Sequence, residues 1–167
     1  MEILNHEITT GVNCFRIGPF DDAEAEKWWQ GREGGKYPAW ILEQPINTGG
    51  SQDSSGLYRV MGWGSLSRWS SYEGYDRTAE ISIWLRPAAQ GRGYGKQLFG
   101  EILRGAQGSG FRVILSRIEA TNRPSIALHA RFGFRPVGTL HRVGEKFGRL
   151  LDVLLMELEL PAPEASS

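Results

Sequence analysis

Cysteine is almost missing from this chain: its 167 residues include one, Cys14. A single thiol excludes an internal disulfide and any zinc site built from cysteines, and Cys14 reads more readily as buried filler than as a nucleophile. Histidine is nearly as scarce. His6, His129 and His141 lie far apart and form no metal-ligating pattern, so no metal is expected. An excess of either charge is lacking too. The 19 Lys and Arg offset 19 Asp and Glu, and the basic residues are scattered, which removes the electrostatic case for nucleic acid or an anionic membrane surface. There is no apolar run of 18 residues, no charged-then-apolar leader, no repeat and no heptad pattern. The expectation is one soluble, cytoplasmic domain over residues 1–160, followed by a mobile tail at 161–167.

Glycine, by contrast, is plentiful, at 22 residues, and it concentrates in Gln90-Gly91-Arg92-Gly93-Tyr94-Gly95-Lys96. Before this stretch, residues 79–85 form an apolar, β-branched run of strand length. After it, Leu98, Phe99, Ile102 and Leu103 share one helical face. A strand therefore feeds a glycine-rich turn that opens a helix. The first turn of a helix has unpaired N–H groups and the positive end of the macrodipole. Glycines at alternate positions remove the Cβ atoms that would hold a ligand away from those amides, and Arg92 and Lys96 add positive charge. A phosphate or pyrophosphate is the natural guest. Two familiar phosphate loops are excluded by spacing. Gln90 stands where a Walker loop needs its first glycine, and Gln97 follows Lys96 in place of Ser or Thr. The glycines read G-x-G-x-G rather than the dinucleotide G-x-G-x-x-G, with no acidic residue at a strand end about 20 residues on. A plain βα turn rich in glycine is the alternative reading.

The remaining elements follow from pattern and punctuation. Residues 1–16 read as the end of a helix, with Ile3, Leu4 and Ile8 on one face, then an irregular segment. Asp21 and Asp22 open a short helix over 23–30. Strands are expected over 37–43, 57–67, 78–85, 111–120, 134–140 and 152–160, with Gly62 and Gly64 weakening the second. A polar loop occupies 47–56, and a basic connection over 142–151 joins the last two strands. Asn122, Pro124 and Ser125 start a helix that Gly133 ends. Together these give an α/β fold, a central mixed sheet with flanking helices.

Gln90, Gly93 and Gly95 resemble the Q/R-x-x-G-x-G/A signature of the GNAT acyl-CoA N-acyltransferases. The likeness then narrows to the branch that acetylates phosphinothricin, methionine sulfoximine, methionine sulfone and other L-amino acids. It is carried by Leu4-Asn5-His6 with Asn13-Cys14-Phe15-Arg16, by Tyr75-Asp76-Arg77-Thr78-Ala79-Glu80, by Asn122 to Ser125 with Leu128-His129 and Gly133-Phe134, and by Gly138-Thr139-Leu140 with Gly144, Lys146-Phe147-Gly148-Arg149 and Asp152. The chain departs from that branch in three ways. A strand and most of a helix normally precede the Asn-His segment, so the usual N-terminal strand is expected to be lacking and the strand near 40–43 to be an exposed edge. Tyr72 stands where relatives often have a basic residue. Arg77, Glu145 and Leu150 replace aromatic residues near the family's acceptor pocket.

The resemblance implies acetyl-CoA as co-substrate, direct transfer to a small-molecule amine and a homodimer. It implies Glu80 as general base and His129 as proton donor, at a position where many GNAT enzymes have tyrosine. Backbone groups of Ile83, Trp84 and Leu85 would meet the pantetheine and acetyl carbonyl. The loop Gln90, Gly91, Arg92, Gly93, Tyr94, Gly95 and Lys96 would hold the pyrophosphate, with Asn122 and Ser125 contacting the cofactor from the next helix. Phe15, Tyr72 and Tyr75 are candidate walls of the acceptor pocket. Each has an ordinary counterpart: a strand-end Glu80 facing solvent, a core His129, surface aromatics. A peptide N-terminus or another amine as acceptor, and a non-catalytic acyl-CoA-binding module, stay open as alternatives.

Overall fold

A computed structural model describes residues 1–32, 35–46 and 57–161. The polar loop expected over 47–56 and the tail beyond residue 161 lie outside the described residues. In chain order the elements are α1 (Glu2–Thr10), α2 (Asp22–Gln30), β1 (Ala39–Pro45), β2 (Tyr58–Arg68), β3 (Thr78–Leu85), α3 (Tyr94–Gly108), β4 (Val113–Glu119), α4 (Arg123–Arg131), β5 (Arg135–Lys146) and β6 (Arg149–Glu159). The helices start where local chemistry dictates. Asp21 caps α2 by accepting the Glu24 N–H, and the Glu24 side chain returns to the Asp21 N–H, a reciprocal capping box. Asn122 caps α4 by accepting the Ser125 N–H at 3.1 Å, with Pro124 in the first turn, where a missing N–H costs nothing.

The strands form one mixed sheet in the order β1-β2-β3-β4-β6-β5. Every neighbouring pair is antiparallel except β3 and β4, which are parallel. The crossover between those two is α3, as a parallel connection requires. α3 buries Leu98, Phe99, Ile102 and Ala106 against one face of the sheet, where they meet Leu66, Ile81, Ile114 and Met156. On a second, smaller core, α1 sets Ile3, Leu4 and Ile8 against Trp63, whose ring meets those of Trp28 and Trp84 at 5.0 and 6.5 Å. β1 lies at one sheet edge, with Ile41 exposed.

Two expectations change. The glycines of β2 do not weaken it; they let other parts approach. A Cβ on Gly64 would collide with the Ile102 side chain and sit 2.8 Å from the Ser82 carbonyl oxygen. The glycine is what allows α3 to lie close on the sheet. The basic stretch 142–151 is not a connection but the tip of a hairpin, because β5 runs on to Lys146 and β6 begins at Arg149. Phe147 (φ 51°) and Gly148 (φ 69°) make the two-residue turn, whose paired positive φ values match the twist of the strands. A register shift between Leu140 and Gly144, with Arg142 at φ 56°, bulges the long arm.

Gly64→Ala is expected to destabilise the protein by about 1–3 kcal/mol through overpacking. Gly74→Ala, where nothing lies within 4 Å, should stay within about 0.5 kcal/mol. Urea midpoints of the two variants check this contrast.

Candidate active site

The parallel pairing of β3 and β4 covers Thr78 with Val113, Ala79 with Ile114 and Glu80 with Leu115, and then stops. β3 stays bonded to β2 as far as Leu85, and β4 to β6 as far as Glu119. The two strands therefore part, and among the described residues the backbone groups of β3 over 81–85 that face β4 meet no partner strand. A cleft of about 700 Å³ opens there. Its walls are residues 80–84 of β3, Ser116, Arg117 and Glu119 of β4, Asn122, Ser125 and His129 of α4, residues 13–15, and Leu140, Val143, Gly144 and Glu145 of β5 with Val153 of β6.

At the far end of β3 the chain turns through Pro87–Ala89 into the glycine loop. Gly91 and Gly93 have φ values of 71° and 85°, a conformation that side chains resist. Gly93 is the N-cap of α3 and offers no side chain to its amides. The first bond of the helix runs from the Gln97 N–H to the Gly93 carbonyl at 3.1 Å; among the described residues the N–H groups of 91–96 have no acceptor. Gly95 faces the packing instead: a Cβ there would lie 3.3 Å from the end of Leu85, a tight approach, and 3.5 Å from Leu128, an ordinary contact, where α3 meets β3 and α4. Unpaired amides at a helix start, two forced glycines with open space in front of them, and the exposed Arg92 and Lys96 fit a pyrophosphate.

Glu80 lines the cleft and is not a loose strand-end carboxylate. Arg117 grips it with both ends of one guanidinium edge, Nε donating to Oε1 at 2.7 Å and Nη2 to Oε2 at 2.6 Å. The Glu80 side chain is 13% exposed and that of Arg117 56%. The carboxylate in turn raises the already high pKa of Arg117. His129 is buried among aromatic rings, with Phe99 and Phe134 meeting it edge-on at 4.8 and 5.0 Å. Its Nδ1 lies 2.8 Å from the Ser125 carbonyl oxygen, which can only accept, so Nδ1 carries the proton and Nε2 carries a lone pair. Burial lowers the pKa of this ring, more than the bond to Ser125 raises it. His129 is thus a neutral imidazole facing the cleft as an acceptor.

The N-terminal segment is fastened over the cleft. Glu7 accepts from the N–H and side chain of Asn13, and Asn13 accepts from Asn122 at 2.8 Å. The buried Lys146 ammonium donates to the Cys14 carbonyl at 2.6 Å. Of the sequence-predicted residues, the structure brings Phe15, Glu80, Ile83, Trp84, Asn122, Ser125 and His129 into one cleft. Leu85 and the loop from Gln90 to Lys96 continue β3 beyond it. Tyr72 and Tyr75 sit on the β2–β3 connection, 70% and 48% exposed, and are not among the lining residues. Arg117, Glu119 and Ser116 escaped the sequence reading. Glu119 is buried and accepts from the Thr121 N–H at 3.0 Å and its hydroxyl at 2.6 Å; the Ser116 hydroxyl is buried with no partner among the described residues. Arg117 falls within the strand expected over 111–120, but nothing local announces that β3 leaves β4 at its level. Among the described residues no group of three or more His, Cys, Asp or Glu is placed to hold a metal ion, and no helix is long and apolar enough to cross a membrane.

Comparison with known proteins agrees with this geometry. Residues 5–134 match the model of the acetyltransferase (GNAT) family. An L-methionine sulfoximine/L-methionine sulfone acetyltransferase of Pseudomonas paraeruginosa is 34% identical over 96% of this chain and 87% of its own length. The L-amino acid N-acyltransferase MnaT of Escherichia coli is 30% identical over 95% of this chain and 86% of its own. A solved acetyltransferase from Salmonella typhimurium, with its cofactor acetyl-CoA, superposes with a TM-score of 0.86 at 30% identity, covering 99% of this chain and 89% of that one.

The state of His129 has a measurable consequence. Its folded pKa lies below the ordinary 6.5, so on acidification the unfolded chain takes up a proton that the folded ring refuses. Stability is therefore full above pH 6.5 and falls as pH drops from 6.5 toward the depressed folded value, by up to about 1.4 kcal/mol per pH unit. Urea unfolding at pH 7.5 and 5.5 should show this loss, and His129→Gln should flatten it.

Proposed function

The chain belongs to the GNAT acetyltransferase family, and on that premise we propose that it moves acetyl from acetyl-CoA to the α-amino group of a small L-amino acid or analogue, of the methionine sulfoximine, methionine sulfone and phosphinothricin type. The cleft where β3 and β4 part carries this reading, because it sets a carboxylate and an accepting imidazole beside unpaired strand amides. Acetyl-CoA supplies the thioester, whose C–S bond breaks as the amine nitrogen bonds the acetyl carbon. An ammonium has no lone pair, so the acceptor must first lose a proton. Glu80 takes it, directly or through water. His129, neutral with its lone pair on Nε2, receives a proton before it gives one; it orients the amine by accepting from it and returns a proton to the departing thiolate only afterwards. The N–H groups of Ile83 and Leu85, on the side of β3 turned away from β2, hold the carbonyl polarised, at no reorganisation cost; that of Trp84 faces Trp63 on β2. The amides of residues 91–96, with Arg92 and Lys96, hold the pyrophosphate, and Asn122 and Ser125 border the same arm from α4. Phe15 forms a wall of the acceptor pocket; Tyr72 and Tyr75 flank its approach from the β2–β3 connection.

We further propose a homodimer. Val137, Leu140 and Val143 on β5, Phe147 at the hairpin turn and Leu150 at the start of β6 are all exposed, and Leu140 and Val143 also border the cleft. A second copy on this hairpin would cover apolar surface at the mouth of the site. Acetyl-CoA supply places the enzyme in the cytoplasm.

Release of the CoA thiol is expected with phosphinothricin, methionine sulfoximine, methionine sulfone and a subset of L-amino acids, and not with peptides or polyamines. Glu80→Gln should lower kcat by roughly 10²- to 10⁴-fold, the usual share of a general base, while leaving acetyl-CoA affinity intact. Turnover only of peptide N-termini would favour that acceptor class instead. Saturable acetyl-CoA binding without any turnover would favour a non-catalytic module.

A further inference from the structure

Arg117 is the one Lys or Arg among the cleft-lining residues, against Glu80, Glu119 and Glu145. A guanidinium has two edges that can each hold a carboxylate, one formed by Nε and Nη2 and one by Nη1 and Nη2. Glu80 occupies the first. Nη1 makes no hydrogen bond among the described residues, and the side chain, which lines the cleft, is about half exposed. Trp69 stands beside the guanidinium, its ring centre 5.8 Å from Cζ, and limits how far the group can swing.

We propose that Arg117 is the specificity-determining residue of the acceptor site, holding the acceptor's α-carboxylate on its Nη1–Nη2 edge while Glu80 holds the other edge. The two edges share Nη2, so the acceptor's carboxylate and the Glu80 carboxylate lie side by side. An α-amino acid carries its ammonium on the carbon next to its carboxylate. Anchoring one at Arg117 therefore delivers the other to Glu80, where the proton must go. A polyamine has no carboxylate, and a peptide N-terminus has an amide in its place, so neither can use the second edge. The excess of acidic side chains suits the ammonium but repels a lone anion, and Arg117 is the cationic side chain among the described lining residues that can offset this for a carboxylate. This inference rests on the amino-acid reading of the acceptor and narrows it to α-amino acids with a free carboxylate.

Steady-state kinetics with L-methionine sulfone and its carboxamide, in the unsubstituted enzyme, Arg117→Gln and Arg117→Lys, tests it. The unsubstituted enzyme should favour the acid in kcat/KM by roughly 10- to 100-fold, the worth of a charged hydrogen-bonded pair. In Arg117→Gln that ratio should collapse toward 1, mainly through a raised KM for the acid, with acetyl-CoA affinity unchanged as the check on folding. Arg117→Lys, which keeps the charge but not the edge, should fall between. An acid-to-amide ratio that stays the same in both variants, with turnover retained, would overturn the role of Arg117 and leave the acceptor reading intact. Should Arg117→Gln not fold, an unchanged ratio in Arg117→Lys would overturn it alone. No turnover of any α-amino acid by the unsubstituted enzyme would overturn the acceptor reading and this handle together.

Discussion

Everything at the site depends on the separation of two parallel strands. β3 and β4 share three paired residues and then follow different partners, β3 along β2 and β4 along β6. A sheet normally satisfies its own backbone, because an unpaired buried amide costs as much as a lost hydrogen bond. Here the ladder opens after Glu80, and in the proposed function the unmatched groups of β3 are the binding groups. The rest of the fold keeps the opening in place. α3 closes the crossover and seats against the sheet over Gly64, and α4, packed on α3 through Phe99, brings His129 to the gap.

Charge is divided along the length of β3. Among the described residues, the loop that follows it presents unpaired amides together with Arg92 and Lys96. Near its start, Glu80 joins Glu119 and Glu145 in a cleft whose described lining has a single guanidinium. On the proposed function, the positive end takes the pyrophosphate and the negative end the ammonium, and the reacting atoms meet between them, beside strand amides whose direction is fixed by the sheet.

Much of this was legible in the sequence because it is local. The strand Thr78–Leu85, the glycine turn and the amphipathic α3 follow one another without a break, and each leaves its own pattern: β-branched alternation, alternate glycines, apolar residues at helical spacing. The Asn122 cap and Pro124 gave α4 its start. What stayed hidden is what depends on distant partners. The tip of the β5–β6 hairpin, residues 142–151, reads as a connection because it is rich in Arg, Gly and Lys; only pairing between β5 and β6, and the turn at Phe147 and Gly148, extend the two strands through it. Gly62 and Gly64 read as weak points because the side chains they accommodate, Leu85 and Ile102, come from other elements. Arg117 lies 37 residues from Glu80, and no spacing rule predicts that pair.

Hydrogen–deuterium exchange with and without acetyl-CoA tests the central claim most directly, because it reads the amides themselves. If the opened edge of β3 and the start of α3 are the binding groups, acetyl-CoA should slow exchange in peptides covering residues 81–85 and 91–96 far more than in β1 or β5. Protection spread evenly over the chain, or absent from those two segments while the cofactor is bound, would contradict the account.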